Sequence, residues 1–517
     1  MRRYVEVMDT SLRDGEQTPG KSYKPKQKLA VAQFLLDQLK VDRVEVASAL
    51  VSEGELAMLK QVMLWASVNG FANRIEVLGF TDGHKSVDWI KSGGGQVINL
   101  LCKGSLRHCE DTFGTDVLGH LERIGQTVEY AVAQGLTVNV YLEDWSQGML
   151  NSPEYVRSLL SGLAKMPIKR AMLCDTLGVL SYWQVEEFVN QAASWQPKLI
   201  LDFHGHDDYG LATANSLAAV RTGKVGGVHV SINGLGERCG NTCQDETVVG
   251  IADFLSNCQL GIDESKLVAA SRMMALVSGV RVPANKSISG TNSRVNTAGV
   301  HAHGDERGRK KGKAELYRHP KLDPGRFGGQ LSHSLGKLAG KASVRSNAQL
   351  LGFILNDDEV TAVLTRVKDL GDEGKPVTVA DLPYIIAEVL NRPECIVFEV
   401  LEADSHSTLR GRALTSAKIR FRGREYEISA HGDGGFDGFM NALHRWARRR
   451  SVVIPKLLDW DPVIPPGGQH SALVQANIKW HNGQGDFDTI GVHPDQTMAS
   501  ILAAEAAVNV CNQNHHS

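Results

Sequence analysis

The sequence predicts an α/β protein built on a closed (β/α)8 barrel, the TIM-barrel architecture. Eight short runs rich in β-branched residues follow one another within the first 235 residues, and amphipathic stretches separate most of them. Alternating strands and helices indicate a parallel sheet, and eight strands are the number that closes such a barrel. An open doubly wound sheet is the alternative, although it usually has fewer strands.

The predicted strands are followed by polar residues at the end where such barrels carry their chemistry. The strands are residues 4–8, 43–47, 74–80, 97–102, 138–143, 170–174, 199–203 and 227–232. The first helix is predicted between the first two strands, where apolar residues recur at helical spacing, namely Val31, Phe34, Leu35 and Leu39.

The pattern changes after about residue 250. Residues 260–280 predict a helix, residues 285–345 are rich in Gly, Lys, Arg and His, and residues 347–390 predict further helices. A β-rich block then begins near Cys395 and ends in a predicted helix at residues 497–510, which indicates a separate α+β domain. We divide the chain into a barrel domain (1–280), a linker of helical subdomains that contributes to the site (281–390) and a C-terminal domain (391–517).

The composition argues against several classes of protein. The chain has 517 residues, of which 42% are hydrophobic and 22% charged, as in ordinary globular domains. Its formal net charge is -2, so it lacks the basic field of a nucleic-acid-binding protein. Eight scattered cysteines are too few for a disulfide scaffold. With no apolar signal core and no long apolar stretch, we expect a cytoplasmic protein without a membrane partner.

A His-Gly-His sequence is the strongest local signal for chemistry. His204 and His206 close the seventh predicted strand, and residues i and i+2 of a strand point to the same side. Asp14 follows the first strand, which neighbours the seventh and eighth in a closed barrel. Two imidazoles and a carboxylate can bind a divalent cation and leave positions open for a substrate's carboxylate and ketone oxygens. The alternative is that both histidines are polar residues held by hydrogen bonds at a strand end.

Arg13 and Glu143 are the candidate catalytic residues near such a cation. Arg13 would stabilise negative charge on a ketone oxygen, or it would form a structural salt bridge with Glu45 or Glu143. Glu143 would act as a general base, or it would orient a metal ligand. The residues alone do not decide between the catalytic and the structural role of Arg13, or between the two roles of Glu143.

Two glycine-rich segments are not dinucleotide-binding fingerprints. The sixth position of G-x-G-x-x-G is Cys239 in GLGERCGN and Asp437 in HGDGGFDGF. We interpret the first as a tight loop over the barrel mouth and the second as a turn before a helix, with Asp437 as its N-cap. Cys239 and Cys243 have no matching second pair, so they do not predict a zinc knuckle.

Four segments in order resemble one enzyme family, namely DTSLRDGEQTPG, FHGHDDYGLATANSLAAV, GLGERCGN and TAGVHAHGD. This family comprises the acetyl-CoA-dependent enzymes that condense 2-oxo acids: the 2-isopropylmalate, homocitrate and citramalate synthases. The C-terminal block, with GDGGFDGFMNAL, IPPGG and GVHPDQT, is similar to the family's regulatory domain. Within the family the chain is most similar to the citramalate synthases, through NLLCKGS, NVYLEDWS, CDTLGVLS and LGKLAGKAS.

The resemblance implies roles for individual residues of the barrel. A divalent metal (Mn, Mg or Zn) would be held by Asp14, His204 and His206, with Asn241 nearby. Arg13 would stabilise the oxyanion, Glu143 would be the base and Thr176 would hold the substrate carboxylate. The side chain of the 2-oxo acid would lie against Leu78, Leu101 and Tyr141. Because two leucines and a tyrosine leave little room, they favour pyruvate over an acid with an isopropyl group.

The resemblance also implies contributions from outside the barrel. His301 and Tyr317 would reach the site from the linker, within a homodimer. The basic run at residues 305–313 would be a solvated loop or would contact CoA phosphates. Departures from the family pattern are Asp207, His303 and Glu315, which leave details of CoA binding and catalysis open.

The C-terminal domain would bind an end-product amino acid, isoleucine if the product is citramalate. By resemblance its pocket comprises Asp437, Leu457, Trp460, Ile464, Val474, Pro494 and Gln496; the alternative is that the apolar members are plain core. The resemblance thus predicts condensation of acetyl-CoA with pyruvate. A 2-isopropylmalate synthase, a lyase running a related cleavage and a non-catalytic amino-acid sensor are the alternatives.

Overall fold

The computed structural model divides into two compact units, Met1–Ser293 with Lys321–Gly329, and Arg294–Pro320 with Gln330–Ser517. The structure describes residues 2–296, 319–329, 332–333, 335–351, 353–372, 377–391, 395–408, 411–450, 452–463, 474–483 and 485–512. In these described parts, no helix combines the length and the apolar character needed to cross a bilayer.

The first unit contains a closed barrel of parallel strands, so the predicted fold class is confirmed. The barrel strands are β1 (Glu6–Asp9), β2 (Arg43–Ser48), β3 (Ile75–Phe80), β4 (Val97–Lys103), β5 (Thr137–Glu143), β6 (Arg170–Asp175), β7 (Leu201–Gly205) and β8 (Val225–Val230). Strands β1 and β8 pair with each other and close the sheet.

The helices of this unit pack around the barrel and bury a continuous apolar core between themselves and the strands. They are α1 (Pro25–Gln33), α2 (Glu53–Val68), α3 (Lys85–Ser92), α4 (Leu106–Phe113), α5 (Val117–Ala133), α6 (Trp145–Asn151), α7 (Pro153–Leu163), α8 (Tyr182–Trp195), α9 (Ala212–Arg221), α10 (Gln244–Phe254) and α11 (Leu267–Ser278). Helix α1 continues as a π-helix over Phe34–Leu39, and the predicted apolar face is buried at Val31, Leu35 and Leu39.

Three predicted strands need corrected boundaries, and the eighth covers Val225–Val230 instead of residues 227–232. The first run is split: Arg3–Tyr4 pairs with Cys258–Gln259 outside the barrel, and the barrel strand begins at Glu6. The seventh strand extends to Gly205 instead of ending at residue 203, because β6 and β7 remain paired there. Consequently His204 lies on the strand itself, beside Cys174 of β6.

Buried ion pairs link four barrel strands. Asp202 on β7 accepts from Arg43 on β2 at 2.5 Å and from Arg170 on β6 at 2.9 Å, and Arg43 also donates to Glu76 on β3 at 3.1 Å. Burial opposes ionisation, but the two guanidinium groups hold the pKa of Asp202 far below its usual range. Because a buried charge is costly without its partner, this network fixes the strand register beneath the site.

The second unit contains two three-stranded antiparallel sheets and five helices in its described residues. The strands of these two sheets are β9 (Phe398–His406), β10 (Ala413–Phe421), β11 (Arg424–Gly432), β12 (Lys456–Val463), β13 (Val474–His481) and β14 (Asp486–His493). Val295–Asn296 and Ser332–His333 form a further short parallel pair. The helices of this unit are α12 (Lys341–Leu350), α13 (Asp357–Asp372), α14 (Leu382–Val389), α15 (Gly435–Ala447) and α16 (Gln496–Asn512). These confirm the predicted C-terminal α+β fold, whereas the three-part division of the chain stays a prediction.

Candidate metal centre and active site

The turn after β1 holds Asp14 in a buried position. Backbone N–H groups of Arg13 and Gly15 both donate to the Thr10 carbonyl at 3.1 Å, which closes the turn. Asp9 stabilises it from below, because its carboxylate accepts from the Ser11 N–H at 2.9 Å and from the Gln244 amide at 2.7 Å. Burial raises the pKa of Asp9 to about 7. The loop is therefore fixed before any ligand binds.

Asp14, His204 and His206 converge at the mouth of the barrel. The Nε2 atoms of the two histidines lie 3.3 Å apart, and His204 Nε2 lies 3.6 Å from Asp14 Oδ2. One potential ligand atom from each residue falls within 4.8 Å of the others. Two nitrogens that each bind the same zinc ion at about 2.0–2.1 Å would have a comparable separation.

The other side-chain oxygen and nitrogen atoms of Asp14, His204 and His206 have no hydrogen-bond partner among the described residues. They are buried and include Asp14 Oδ1 and the Nδ1 atoms of His204 and His206. Asn241 forms a backbone bridge with His206, and its Oδ1 is buried and equally unpartnered. Because buried polar atoms normally find partners, the unpartnered oxygens of Asp14 and Asn241 fit a divalent cation bound beside the two imidazoles.

The electrostatics favour the protonation states that bind metals. Burial and the neighbouring His206 hold the pKa of His204 well below its ordinary value, and burial likewise lowers the pKa of His206. Burial alone would raise the pKa of Asp14, but the charge of Arg13 holds it far below its usual range. The set therefore presents one carboxylate and two neutral imidazoles, the forms that ligate divalent metals.

Arg13 lies between the metal-binding set and Glu45. Its Nε donates to Glu45 at 2.5 Å, and its Nη1 lies 3.0 Å from Asp14 Oδ2. Glu45 is itself held by the Asn99 amide at 2.8 Å. Glu45 and Glu143 were the two predicted salt-bridge partners of Arg13. Glu45 forms this ion pair, whereas Glu143 pairs with Lys103. A guanidinium fixed in this way is suited to stabilise developing negative charge.

Glu143 and Thr176 lie at neighbouring strand ends. Glu143 forms an ion pair with Lys103, the residue opposite it at the end of β4. The Thr176 hydroxyl accepts from the Asp144 backbone N–H at 2.8 Å, and its carbonyl accepts from Arg238 at 2.6 Å. These two residues occupy the same barrel end as the metal-binding set, without a direct contact to it.

The predicted substrate pocket forms an apolar cluster of its own. Leu78 and Tyr141 are buried in it, and Leu101 packs against it half-buried. Strands β1 and β6 complete the cluster with Met8, Met172 and Cys174. The Tyr141 ring stands edge-on to His204, with ring centroids 5.8 Å apart, so the cluster adjoins the metal-binding set.

Asp207, which departs from the family pattern, and its neighbour Asp208 both have structural partners. Asp207 accepts from the Ala212 N–H at 2.8 Å at the beginning of α9. Asp208 forms two hydrogen bonds with Arg238, at 2.8 and 2.9 Å, and these lower its pKa. Both aspartates therefore stabilise the loop that follows the histidines. His303 and Glu315 lie outside the described residues.

The other predicted site residues include three outside the described part of the chain and several in the second unit. His301, Tyr317 and Ile464 lie outside the described residues. In the second unit Leu457 and Trp460 are each more than one-third exposed on β12, and the Trp460 Nε1 donates to Ser500 at 3.0 Å.

The other predicted allosteric residues differ in burial. Val474 is buried, whereas Pro494 and Gln496 are exposed. The prediction that Asp437 is an N-cap is wrong: α15 begins at Gly435, and Asp437 in its first turn accepts from the Asp433 N–H at 2.9 Å.

Two residues of the site were missed by sequence reasoning. Lys103 pairs with Glu143, and His229 on β8 contacts Asp202 and Tyr141, each at 3.4 Å. The alternation of β4 could have indicated Lys103, because it lies two residues after Leu101 and on the same face. His229 gives no such signal, since a lone histidine in a strand is most often a hydrogen-bonded core residue.

Comparison with known proteins identifies the family. Residues 4–274, which include the barrel and the whole metal-binding set, match the model of the HMGL-like family. The chain belongs to the HMGL-like family. Residues 376–512 of this HMGL-like chain match the LeuA allosteric (dimerisation) domain.

Curated relatives of this HMGL-like chain resemble it over almost its full length. An (R)-citramalate synthase of Methanocaldococcus jannaschii is 30% identical over 98% of this chain and 99% of its own. A "Putative (R)-citramalate synthase" of Archaeoglobus fulgidus is 32% identical over 98% and 99%. A "Probable 2-isopropylmalate synthase" of Methanopyrus kandleri is 29% identical over 98% of each. The resemblance to citramalate synthases is confirmed, and so is the prediction that the chain is an enzyme, an acyltransferase of this family.

Proposed function

We propose that this enzyme condenses acetyl-CoA with pyruvate and water, giving (R)-citramalate and CoA. The observation that carries the proposal is the convergence of Asp14, His204 and His206 beside Arg13 and an apolar side-chain cluster. The names of the citramalate synthases among its relatives support the same reaction.

Asp14, His204 and His206 would hold one divalent cation, Mn, Mg or Zn, with Asn241 beside them. Such a cation supplies Lewis-acid polarisation of a bound ketone. Arg13 donates to the ketone oxygen and stabilises the negative charge that develops there during carbon–carbon bond formation. By drawing electron density toward the ketone oxygen, these groups make the ketone carbon the electrophile of the reaction.

The remaining residues activate and orient the two substrates. Glu143 takes a proton from the methyl group of acetyl-CoA, and the resulting enolate attacks the ketone carbon of pyruvate. Thr176 holds the pyruvate carboxylate. Water then cleaves the thioester of the condensed product and releases CoA, which makes the reaction irreversible. His301 and Tyr317 assist this hydrolysis.

The bulk of the residues in the apolar cluster is our reason for assigning pyruvate instead of a larger 2-oxo acid. The methyl group of pyruvate packs against Leu78, Leu101 and Tyr141, whereas an isopropyl group would meet them with two further methyl groups. Strands β1 and β6 supply further bulk behind them. The pocket therefore supports pyruvate, because a well-packed site rejects extra volume.

A second candidate function is 2-isopropylmalate synthesis from 2-oxoisovalerate. The relative from Methanopyrus kandleri that carries that name supports it, at 29% identity against 30–32% for the citramalate synthases. Both reactions use the same metal-binding residues and base. Only the pocket that receives the acid's side chain separates them.

The C-terminal domain supports feedback regulation by isoleucine in a homodimer. Its match to an allosteric and dimerisation domain supports the proposal. Leu457 and Trp460 on β12 offer half-exposed apolar surface for an aliphatic side chain. We assign the rest of the pocket to Asp437, Ile464, Val474, Pro494 and Gln496.

The proposed reaction is tested by measuring CoA release from acetyl-CoA with a panel of 2-oxo acids. We expect the highest kcat/KM with pyruvate, loss of activity with a chelator and inhibition by isoleucine. A higher kcat/KM with 2-oxoisovalerate would favour the second candidate. Absence of CoA release with every acid, in metal-supplemented enzyme that still binds isoleucine, would point to a non-catalytic sensor.

A further inference from the structure

The end of strand β4 carries a cation that the proposed chemistry does not use. Lys103 lies opposite Glu143 in the parallel pairing of β4 and β5, and its ammonium contacts Glu143 Oε2. Its side chain is 14% exposed and that of Glu143 is 26% exposed, so water screens this ion pair only partly. Lys103 also lies two residues after Leu101, on the pocket-facing side of the strand.

A closed ring of hydrogen bonds fixes the backbone of Lys103. The Lys103 N–H donates to His120 Nε2 at 3.4 Å, so His120 Nδ1 carries the proton and donates to Tyr155 Oη at 2.8 Å. The Tyr155 O–H donates to the Lys103 carbonyl at 3.1 Å and closes the ring. Burial lowers the pKa of His120 to about 4, which keeps this single-proton arrangement at neutral pH.

This ring of hydrogen bonds joins helices α5 and α7 to the end of strand β4. His120 on α5 is fully buried, and Tyr155 on α7 is 6% exposed. Neither residue belongs to the proposed catalytic or substrate-binding set. Buried polar groups with every partner satisfied rigidify the backbone that they contact.

From this arrangement we propose that Lys103 is the positioning residue of the general base Glu143. The ammonium holds Oε2 and keeps the carboxylate at one place, so that Oε1 takes the proton from the acetyl group. The His120–Tyr155 pair supports Lys103 in turn. This inference rests on the proposed function, because it assumes that Glu143 is the base.

The test compares Lys103→Met and Lys103→Arg with the wild type in the CoA-release assay. Lys103→Met removes the ammonium that holds the Glu143 carboxylate in place. We therefore expect kcat to fall about 10- to 100-fold, as for a misplaced catalytic group. The KM for pyruvate should stay within about twofold, since uniform binding is untouched. Lys103→Arg should recover part of the loss. Lys169→Met, an exposed lysine just before β6 at the opposite barrel end, should match the wild type.

A double-mutant cycle separates positioning from a general structural effect. If Lys103 acts through Glu143, Lys103→Met should cause no further loss in a Glu143→Gln background. Equal losses in both backgrounds, or wild-type kcat in Lys103→Met, would overturn the inference. Tyr155→Phe, which breaks the ring without touching either charge, should lower kcat in the wild-type background only. If the wild type itself releases no CoA with any 2-oxo acid, the proposed function fails and this inference fails with it.

Discussion

Arg13 shows why individual contacts matter at this site. Its guanidinium contacts Glu45 through Nε and Asp14 through Nη1, so one side chain joins a buried acid to the metal-binding set. The sequence offered a structural and a catalytic role as alternatives. The geometry makes them compatible, because a guanidinium has five N–H donors and these contacts engage only some of them.

Leu101 provides a test of substrate selection by one side chain. Leu101→Ala should enlarge the apolar pocket and lower the preference for pyruvate over 2-oxoisovalerate, as the ratio of kcat/KM values, by about 10-fold or more. Leu100→Ala is the matched control, because Leu100 is buried on the helix-facing side of the same strand. It should lower the melting temperature and leave the ratio unchanged. An equal effect of Leu101→Ala on both acids would remove Leu101 from the pocket.

The segment between β4 and α4 depends on close backbone packing. Gly104 follows Lys103, and its N–H donates to the Glu143 carbonyl at 2.5 Å. A Cβ at this position would lie 2.8 Å from Leu142 O and 2.9 Å from Glu143 O. Only glycine lets the two strand ends approach this closely.

Gly104→Ala should therefore displace the end of β5. We expect a loss of about 1–3 kcal/mol in the free energy of unfolding, as for an overpacked site, together with lower kcat. Thermal unfolding and CoA release measure the two effects. Gly54→Ala, in the exposed first turn of α2, is the control, where an added Cβ meets only Ser52 Oγ at 3.6 Å. Unchanged stability and kcat in Gly104→Ala would contradict the packing argument.

Helices α14 and α16 of the second unit meet at a buried carboxyl group. Glu505 accepts from Tyr384 Oη at 3.1 Å and from the Val400 N–H at 2.7 Å. Burial raises the pKa of Glu505 from 4.5 to about 7. The folded state therefore binds this proton more tightly than the unfolded state does.

The stability of this junction should consequently depend on pH. The contribution of Glu505 is fully present below pH 4.5 and is lost as the pH rises through about 7. Glu505→Gln should reduce the difference between the melting temperatures at pH 5 and pH 8. The proton on Glu505 accounts for up to about 3 kcal/mol of the change in the free energy of unfolding between these pH values. Glu427→Gln, an exposed position on β11, should retain the wild-type difference. Equal pH dependence in the wild type and Glu505→Gln would refute the assignment.

The barrel could be predicted from the sequence because its signal repeats. Eight strands with regular spacing survive errors at single boundaries, and the closure of the sheet then places Asp14 near the histidines of β7. The predicted seventh strand ended too early because polar histidines and Gly205 resemble a loop, although pairing with β6 keeps His204 and Gly205 in the sheet.

Other features depend on contacts between distant segments and leave little local signal. The alternation of β4 places Lys103 on the face of Leu101, but its pairing with Glu143 becomes evident only when β4 and β5 are aligned. Asp437 was misplaced because two consecutive glycines made the start of α15 ambiguous. The second unit shows the same limit. Its alternating strands indicate an α+β fold, yet they do not show that Leu457 and Trp460 remain half-exposed.

The most direct test of the whole account is calorimetric titration of the chelator-treated protein with Mn²⁺. We expect about one ion per chain for the wild type, and Asp14→Asn and His206→Ala should each weaken binding about 10-fold or more while remaining folded, as circular dichroism would check. Binding of Mn²⁺ to both folded variants with wild-type affinity would contradict the claim that Asp14, His204 and His206 share one cation.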